Sequence, residues 1–262
     1  MKGALASLAR LLGLVLLCAL ALQIYFLARV LLMVVVDPQS TTFERSEVWR
    51  LLTERRELRW SQQWVPYERI SDSLKRAVIA SEDAGFSEHS GVEWDAIEKA
   101  WERNQNAEAR AEARAEAGAE KANEARRTTK AATARPPVAP KLVGGSTITQ
   151  QLAKNLFLGS ERSLARKGQE FVITLMLEAV LSKQRILEIY LNNVEWGEGM
   201  FGAEAAARHY FRVGADKLGP LQAAQLSVML PAPKRFEKRP HSPYVMGRAG
   251  TVAARMGAVE LP

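Results

Sequence analysis

Across positions 11–36 the chain is almost unbroken in apolar residues, with Gln23 and Arg29 as the strong polar interruptions. As helix this run is about 39 Å long at about 1.5 Å per residue, enough to cross a hydrocarbon core of about 30 Å with some tilt. The pattern predicts a transmembrane helix over 11–36 after a short cytoplasmic tail, 1–10. Arg29 lies near the exit end, where its long stem can carry the guanidinium to the headgroups. A cleavable signal peptide is the rival, because Ala19-Leu20-Ala21 has a small-x-small form, but the apolar run continues well past it. Bulky Leu17 before Cys18 argues against a lipoprotein site and leaves Cys18 as a lipid-facing residue. Lys2 and Arg10 hold the N-terminal end in the cytoplasm; Arg50, Arg55, Arg56 and Arg59 pull the other way, yet whole domains translocate regardless of charge.

The rest of the 262 residues, 37–262, suffices for one well-buried core. With 25% charged and 47% hydrophobic residues, the chain is neither collagen-like nor wholly disordered. A single cysteine excludes an internal disulfide and a cysteine-based zinc site. The net charge of +7 predicts attraction to phosphate, on nucleic acid, a lipid surface or a phosphorylated substrate, without choosing among them. Over about 103–141 the composition turns to Ala, Glu, Arg and Lys and then to Pro, which reads as an insertion: a solvated, partly helical flap with a disordered Pro-rich end. Its interleaved glutamates cancel its charge and no aromatics alternate with it, so it does not read as a nucleic-acid arm. Elsewhere the period is helical. Over 163–182, Leu164, Phe171, Leu175 and Leu181 recur, with Val172, Ile173, Met176 and Leu177 filling in, and predict a helix buried on much of its circumference. β-Branched alternation is absent. The expected fold is mainly α, a multi-helix domain on one N-terminal anchor.

Four stretches carry candidate chemistry. In the first, at 80–91, Glu82 and Asp83 end an apolar helix and Phe86 and His89 follow; the plain structural reading is acidic residues in a turn that cap the next helix, and a satisfied histidine. In the second, Gly144-Gly145-Ser146-Thr147 opens a helix whose N-terminal N–H groups suit an anion. Thr147, Gln151 and Lys154 stand at i, i+4 and i+7 and share a face, and the Gly-Lys-Ser/Thr ending of a P-loop is missing. The third sets Arg162, Arg166 and Glu170 on one helix face beside Lys167; alone, it reads as a solvated ion-pair ladder. The fourth, at 186–199, followed by small residues over 202–207, reads as close helix packing.

Together these stretches resemble the peptidoglycan glycosyltransferases of glycosyltransferase family 51. The family's Glu-Asp-x-x-Phe-x-x-His-x-Gly pattern stands at 82–91, its Gly-Gly-Ser-Thr-(Ile/Leu)-Thr-Gln-Gln-Leu-x-Lys-Asn pattern at 144–155, and its Arg-Lys-x-x-Glu pattern at 166–170, in the family's order. The likeness spans roughly 69–233, with Ile-Leu-Glu-x-Tyr-Leu-Asn inside it, and anchor plus one domain is similar to the family's monofunctional biosynthetic members. Glu93, where Asp is commoner, and Ala84-Gly85, in place of a pair that often begins with Arg, depart from the pattern. The resemblance implies a lysozyme-like helical domain in the periplasm, against the outer leaflet of the bacterial inner membrane. It implies lipid II and the growing glycan strand as substrates, cell-wall synthesis or division proteins as partners, and no nucleic acid. The implied reaction polymerises lipid II with inversion to β-1,4-linked glycan, releasing undecaprenyl diphosphate. Glu82 would be the general base on the acceptor 4-hydroxyl and Glu170 the second catalytic carboxylate. Lys154, Arg162, Arg166 and Lys167 would surround the pyrophosphate, and Asp83, Phe86, His89, Ser146, Thr147 and Gln151 would complete the substrate surface.

That assignment agrees with elementary chemistry. A sugar hydroxyl is a poor nucleophile at neutral pH, and a positioned carboxylate accepting its proton is worth roughly 10²–10⁴ in rate. A pyrophosphate leaves as an anion and needs cations more than a proton donor, with room for a divalent metal, Mg or Mn, bridging its oxygens. A lysozyme-like hydrolase would use one glutamate as acid but has little use for clustered Lys and Arg. A non-catalytic membrane adaptor would need neither Glu82 nor Glu170.

Overall fold

The computed structural model describes residues 2–56, 60–94, 98, 102, 105, 146–159, 161 and 163–262. The insertion expected at about 103–141 lies outside the described residues except for Gln105, and Gly144, Gly145 and Arg162 also lie outside them. Two compact units are present: Met1–Gly91 with Thr147–Pro262, and Val92–Ser146. In the second, Trp94, Glu98, Glu102 and Gln105 are helical and Ser146 is the last residue.

Helix α1 (Lys2–Leu32) opens the first unit, and its part Ala6–Leu32 is long and apolar enough to cross a membrane. The helix stops four residues short of the expected Val36, where successive turns follow. Its two polar interruptions have protein partners. Gln23 exchanges two amide hydrogen bonds with Gln169, at 2.8 and 3.0 Å. Arg29, expected to reach for headgroups, sits over the Tyr25 and Phe157 rings and donates to the Tyr25 hydroxyl. The end of α1 is tied down by Arg185, which donates to the Met33 carbonyl and pairs with Asp37 at 2.7 Å.

Helices α2 (Thr42–Arg50), α3 (Asp72–Glu82), α4 (Ile148–Phe157), α5 (Leu164–Val180) and α6 (Lys183–Asn193) make most of the frame. Each begins on a Ser or Thr whose hydroxyl accepts an N–H of the first turn, as such residues favour. A small sheet in the order β1-β3-β2 follows from β1 (Ser61–Gln62), β2 (Glu195–Gly197) and β3 (Met200–Phe201), with β1 parallel and β2 antiparallel to β3. Strands of two or three residues are too short to show the alternation by which strands are read from sequence. Helices α7 (Ala203–Phe211), α8 (Pro220–Met229), α9 (Pro233–Phe236) and α10 (Pro243–Arg255) complete the unit, and α3 packs on α8 and α10. The mainly α, lysozyme-like expectation therefore holds, with the sheet as an addition.

The core runs through Leu74 and Val78 of α3, Ile148, Leu152 and Leu156 of α4, Ile173 and Leu177 of α5, and Ile186 and Ile189 of α6. Helix α5 corrects an expectation. Only the stripe Glu170, Ile173, Thr174 and Leu177 is buried, while Leu164 is 92% exposed and Phe171, Val172 and Leu175 are also exposed. Hydrophobic periodicity cannot tell a face packed on protein from one presented to its surroundings.

Gly91 fixes the route between α3 and α4. Its φ of +82° is left-handed, and a Cβ there would lie 2.7 Å from Glu178 Cγ and 2.8 Å from Thr174 Cγ2. Its carbonyl accepts the Thr147 hydroxyl at 2.7 Å, which ties the turn to the start of α4. Gly91→Ala combines a backbone penalty with an overpacked contact and should lower stability by about 2 kcal/mol, read as a lower midpoint in thermal or urea unfolding.

Candidate active site

The site is built where α3 ends and α4 begins. Glu82 is the last residue of α3 and Asp83 its C-cap. The Asp83 side chain points inward: Oδ1 meets His89 Nε2 at 2.7 Å and Oδ2 accepts the backbone N–H of Ile148 at 3.0 Å. Gly91 N–H donates to His89 Nδ1, which leaves Nε2 to donate to Asp83. Phe86 is fully buried, edge-on to His89 and beneath the Lys183 ammonium. The Thr147 hydroxyl accepts the Gln150 N–H and donates to Gly91. Of the residues expected on the substrate surface, Asp83, Phe86, His89 and Thr147 thus have their groups engaged inside the fold. Ser146 belongs to the second unit.

Glu82 differs from its neighbour. Half-buried, it takes the Gln151 Nε2–H on Oε2 at 3.0 Å, and the Gln151 carbonyl in turn accepts the Tyr190 hydroxyl at 3.0 Å. Burial pushes the Glu82 carboxyl above its ordinary value; the Gln151 N–H, which favours the charged form, opposes this, and the Asp83 charge adds to it. A carboxylate raised in this way is a better proton acceptor than a solvated one.

The buried stripe of α4 turns Gln151 and Lys154 to the opposite side, one turn or about 4.5 Å of rise apart. Surrounding protein pushes the Lys154 ammonium below the usual lysine value; Glu170 opposes this, and Arg166 and Lys167 add to it. On α5 the buried Glu170 takes Arg166 on Oε2 at 2.9 Å and Lys167 on Oε1. The predicted i, i+4 pair is therefore present, turned toward Lys154 rather than out to water. Beside it lies a cavity of about 320 Å³ lined by Phe43, Ser46, Lys154, Asn155, Leu158, Gly159 and Arg166. Among the described residues the buried Nε of Arg166 has no partner. Lys154, Arg166 and Lys167 stand against a single carboxylate, Glu170, an excess of positive charge suited to an anion with several charged oxygens.

The structure brings together Glu82, Gln151, Lys154, Arg166, Lys167 and Glu170; Glu82 adjoins this group through Gln151 and does not line the cavity. Sequence reasoning missed Tyr190, Phe43, Ser46, Asn155 and Leu158. Tyr190 stands inside Ile-Leu-Glu-x-Tyr-Leu-Asn, where its ring reads as packing; no local signal marks Phe43 and Ser46, which reach the cavity from α2.

A helical domain that carries a half-buried glutamate and a cluster of cations on neighbouring turns has groups of the kind a glycosyl-transferring enzyme uses. The comparison with known families agrees: the transglycosylase family model matches residues 50–119 and 115–257, and the chain belongs to that family. It is 48% identical over 243 residues to a biosynthetic peptidoglycan transglycosylase of Paraburkholderia xenovorans (strain LB400), covering 93% of this chain and 88% of that one. It is 48% identical over 248 residues to a protein of the same description from Bordetella pertussis (strain Tohama I), covering 95% and 91%.

The raised Glu82 carboxyl has a consequence for stability. A carboxyl whose value is higher folded than unfolded costs stability once the pH rises through the folded value, and costs nothing below the unfolded one. Glu82→Gln should therefore raise the unfolding midpoint at about pH 8 and leave it nearly unchanged at about pH 3, where the carboxyl is almost fully protonated in both states. Calorimetry at the two pH values checks this.

Proposed function

We propose that this chain is a membrane-anchored peptidoglycan glycosyltransferase that polymerises lipid II into β-1,4-linked glycan with inversion, Glu82 serving as general base. The carrying observation is that Gln151, which holds Glu82, and Lys154, which faces the Glu170 ion-pair cluster, stand one turn apart on α4. The acceptor 4-hydroxyl gives its proton to Glu82 as its oxygen attacks the donor sugar carbon. The bond from that carbon to the pyrophosphate breaks on the opposite face, and the electron pair leaves with undecaprenyl diphosphate. Lys154, Arg166 and Lys167 take up the growing charge, and Glu170 holds the last two in place. Arg162 joins them on its motif alone.

In this reading 1–10 is cytoplasmic, α1 crosses the inner membrane and the remainder lies in the periplasm, where a lipid-linked donor keeps the active domain at the bilayer surface. The divalent metal considered from the sequence would sit on the phosphate oxygens, and among the described residues this cavity offers it no free carboxylate. The charged groups that line it are the cations Lys154 and Arg166, and the oxygens of the neighbouring Glu170 are already taken by Arg166 and Lys167. No step here uses a metal.

Glu82→Gln should lower polymerisation of labelled lipid II by about 10²–10⁴-fold, and Lys154→Ala by about 10²–10³-fold. Gel analysis of the glycan product reads both. Activity near the parent's in Glu82→Gln removes the general-base role, and absence of polymer from the parent itself favours a non-catalytic adaptor.

A further inference from the structure

Tyr190 lies in the segment 186–193, which sequence reasoning leaves to packing. It is buried at 1% exposure, and among the described residues its hydroxyl has one hydrogen-bond partner, Gln151. Its hydroxyl donates to Gln151 Oε1, while the other end of the same amide donates to Glu82 Oε2, both at 3.0 Å. The two ends of a glutamine amide have nearly the same shape, so an unrestrained glutamine can turn either toward a carboxylate. Here the Tyr190 hydroxyl holds the carbonyl end. Burial, with the charges of Glu82 and Asp83, pushes its phenol well above the ordinary tyrosine value, so the O–H keeps its proton and has to find an acceptor. With the amide reversed, the buried hydroxyl would lose that acceptor and the Gln151 carbonyl would face an ionised Glu82, and both changes are unfavourable.

We propose that Tyr190 is a positioning residue for glycosyl transfer: acting through Gln151, it holds the Glu82 carboxylate so that Oε1 receives the acceptor's proton. The proposal rests on the reading of Glu82 as base. Oε2 is taken by the amide, and among the described residues Oε1 has no hydrogen-bond donor. Turning the amide would put an acceptor where the donor belongs and let the carboxylate rotate away from the acceptor hydroxyl. Misorientation of a reacting group lowers the rate of the chemical step without weakening the binding of the rest of the substrate.

The experiment is a double-mutant cycle on the full-length chain in lipid vesicles, with labelled lipid II and Tyr190→Phe, Gln151→Met and the double variant. Tyr190→Phe should lower kcat about tenfold, the effect of one lost hydrogen bond in a charged network, with KM within about twofold. Gln151→Met should lower kcat at least as much, and the double variant should be no slower than Gln151→Met, because Tyr190 acts through that amide. A merely structural tyrosine would slow both backgrounds alike. Parental kcat in Tyr190→Phe, or losses that multiply in the double variant, overturns the proposal. If Tyr190→Phe does not fold, Gln151→Met decides, and parental kcat there overturns it as well. A Glu82→Gln arm separates the two readings. Full activity in that arm defeats the general-base assignment, whereas an inactive Glu82→Gln beside a fully active Tyr190→Phe defeats the positioning role alone.

Discussion

The join between α3 and α4 depends on the buried carboxylate of Asp83. It closes the end of α3, and through Oδ2 it accepts the first N–H of α4, where the partial positive charge of a helix N-terminus favours an anion. Residues 65 apart in sequence are joined in one contact. Because Glu82 precedes Asp83 and Gln151 lies one turn into α4, that contact sets the distance across which Glu82 and Gln151 meet. His89 and Gly91 hold Asp83 from the other side, and Gly91 also accepts the Thr147 hydroxyl, so the join is braced at both helix ends. Adjacent carboxylates in one turn thus differ: the buried, fully bonded one makes the joint, and the half-buried one has, among the described residues, one oxygen bonded to Gln151 and the other without a donor.

The electrostatics follow the same division. Burial makes Glu82 a stronger base by favouring its neutral form; the Gln151 N–H offsets part of that by favouring the ionised form. Lys154 is subject to the converse. Surrounding protein and the two nearby cations lower its affinity for a proton, and Glu170 restores some of it. An anion bound beside it would act in the same direction as Glu170, so anion binding and protonation of Lys154 favour each other.

Much of this was legible in the sequence, and the limit is physical. The caps and the apolar stripes of α3 and α4 are local, and spacing reveals them; so is the Arg166–Glu170 pair, whose i, i+4 separation places it on one face. The plain reading of 80–91, acidic residues capping the next helix and a satisfied histidine, describes His89 as it stands; Asp83 instead accepts the first N–H of α4, 65 residues on, and Glu82 beside it is the exception. Gln151 read as a substrate-facing amide because nothing within its helix records a partner 69 residues earlier and another 39 later. Phe43 and Ser46 were invisible for the same reason. The exposed side of α5 was misread because an apolar residue gives the same signal whether protein or another apolar medium covers it.

That side of α5 joins the anchor to the chemistry. Gln169 exchanges hydrogen bonds with Gln23 of α1, and the next residue, Glu170, turns inward to hold Arg166 and Lys167. One turn of helix therefore carries the contact with the membrane-length helix on one side and the cation cluster on the other. Paired amides are a costly thing to leave in an apolar setting unless each satisfies the other, and these two do. A helix long and apolar enough to cross a bilayer is in this manner fixed to the turn that carries the cations, so the two move as one piece.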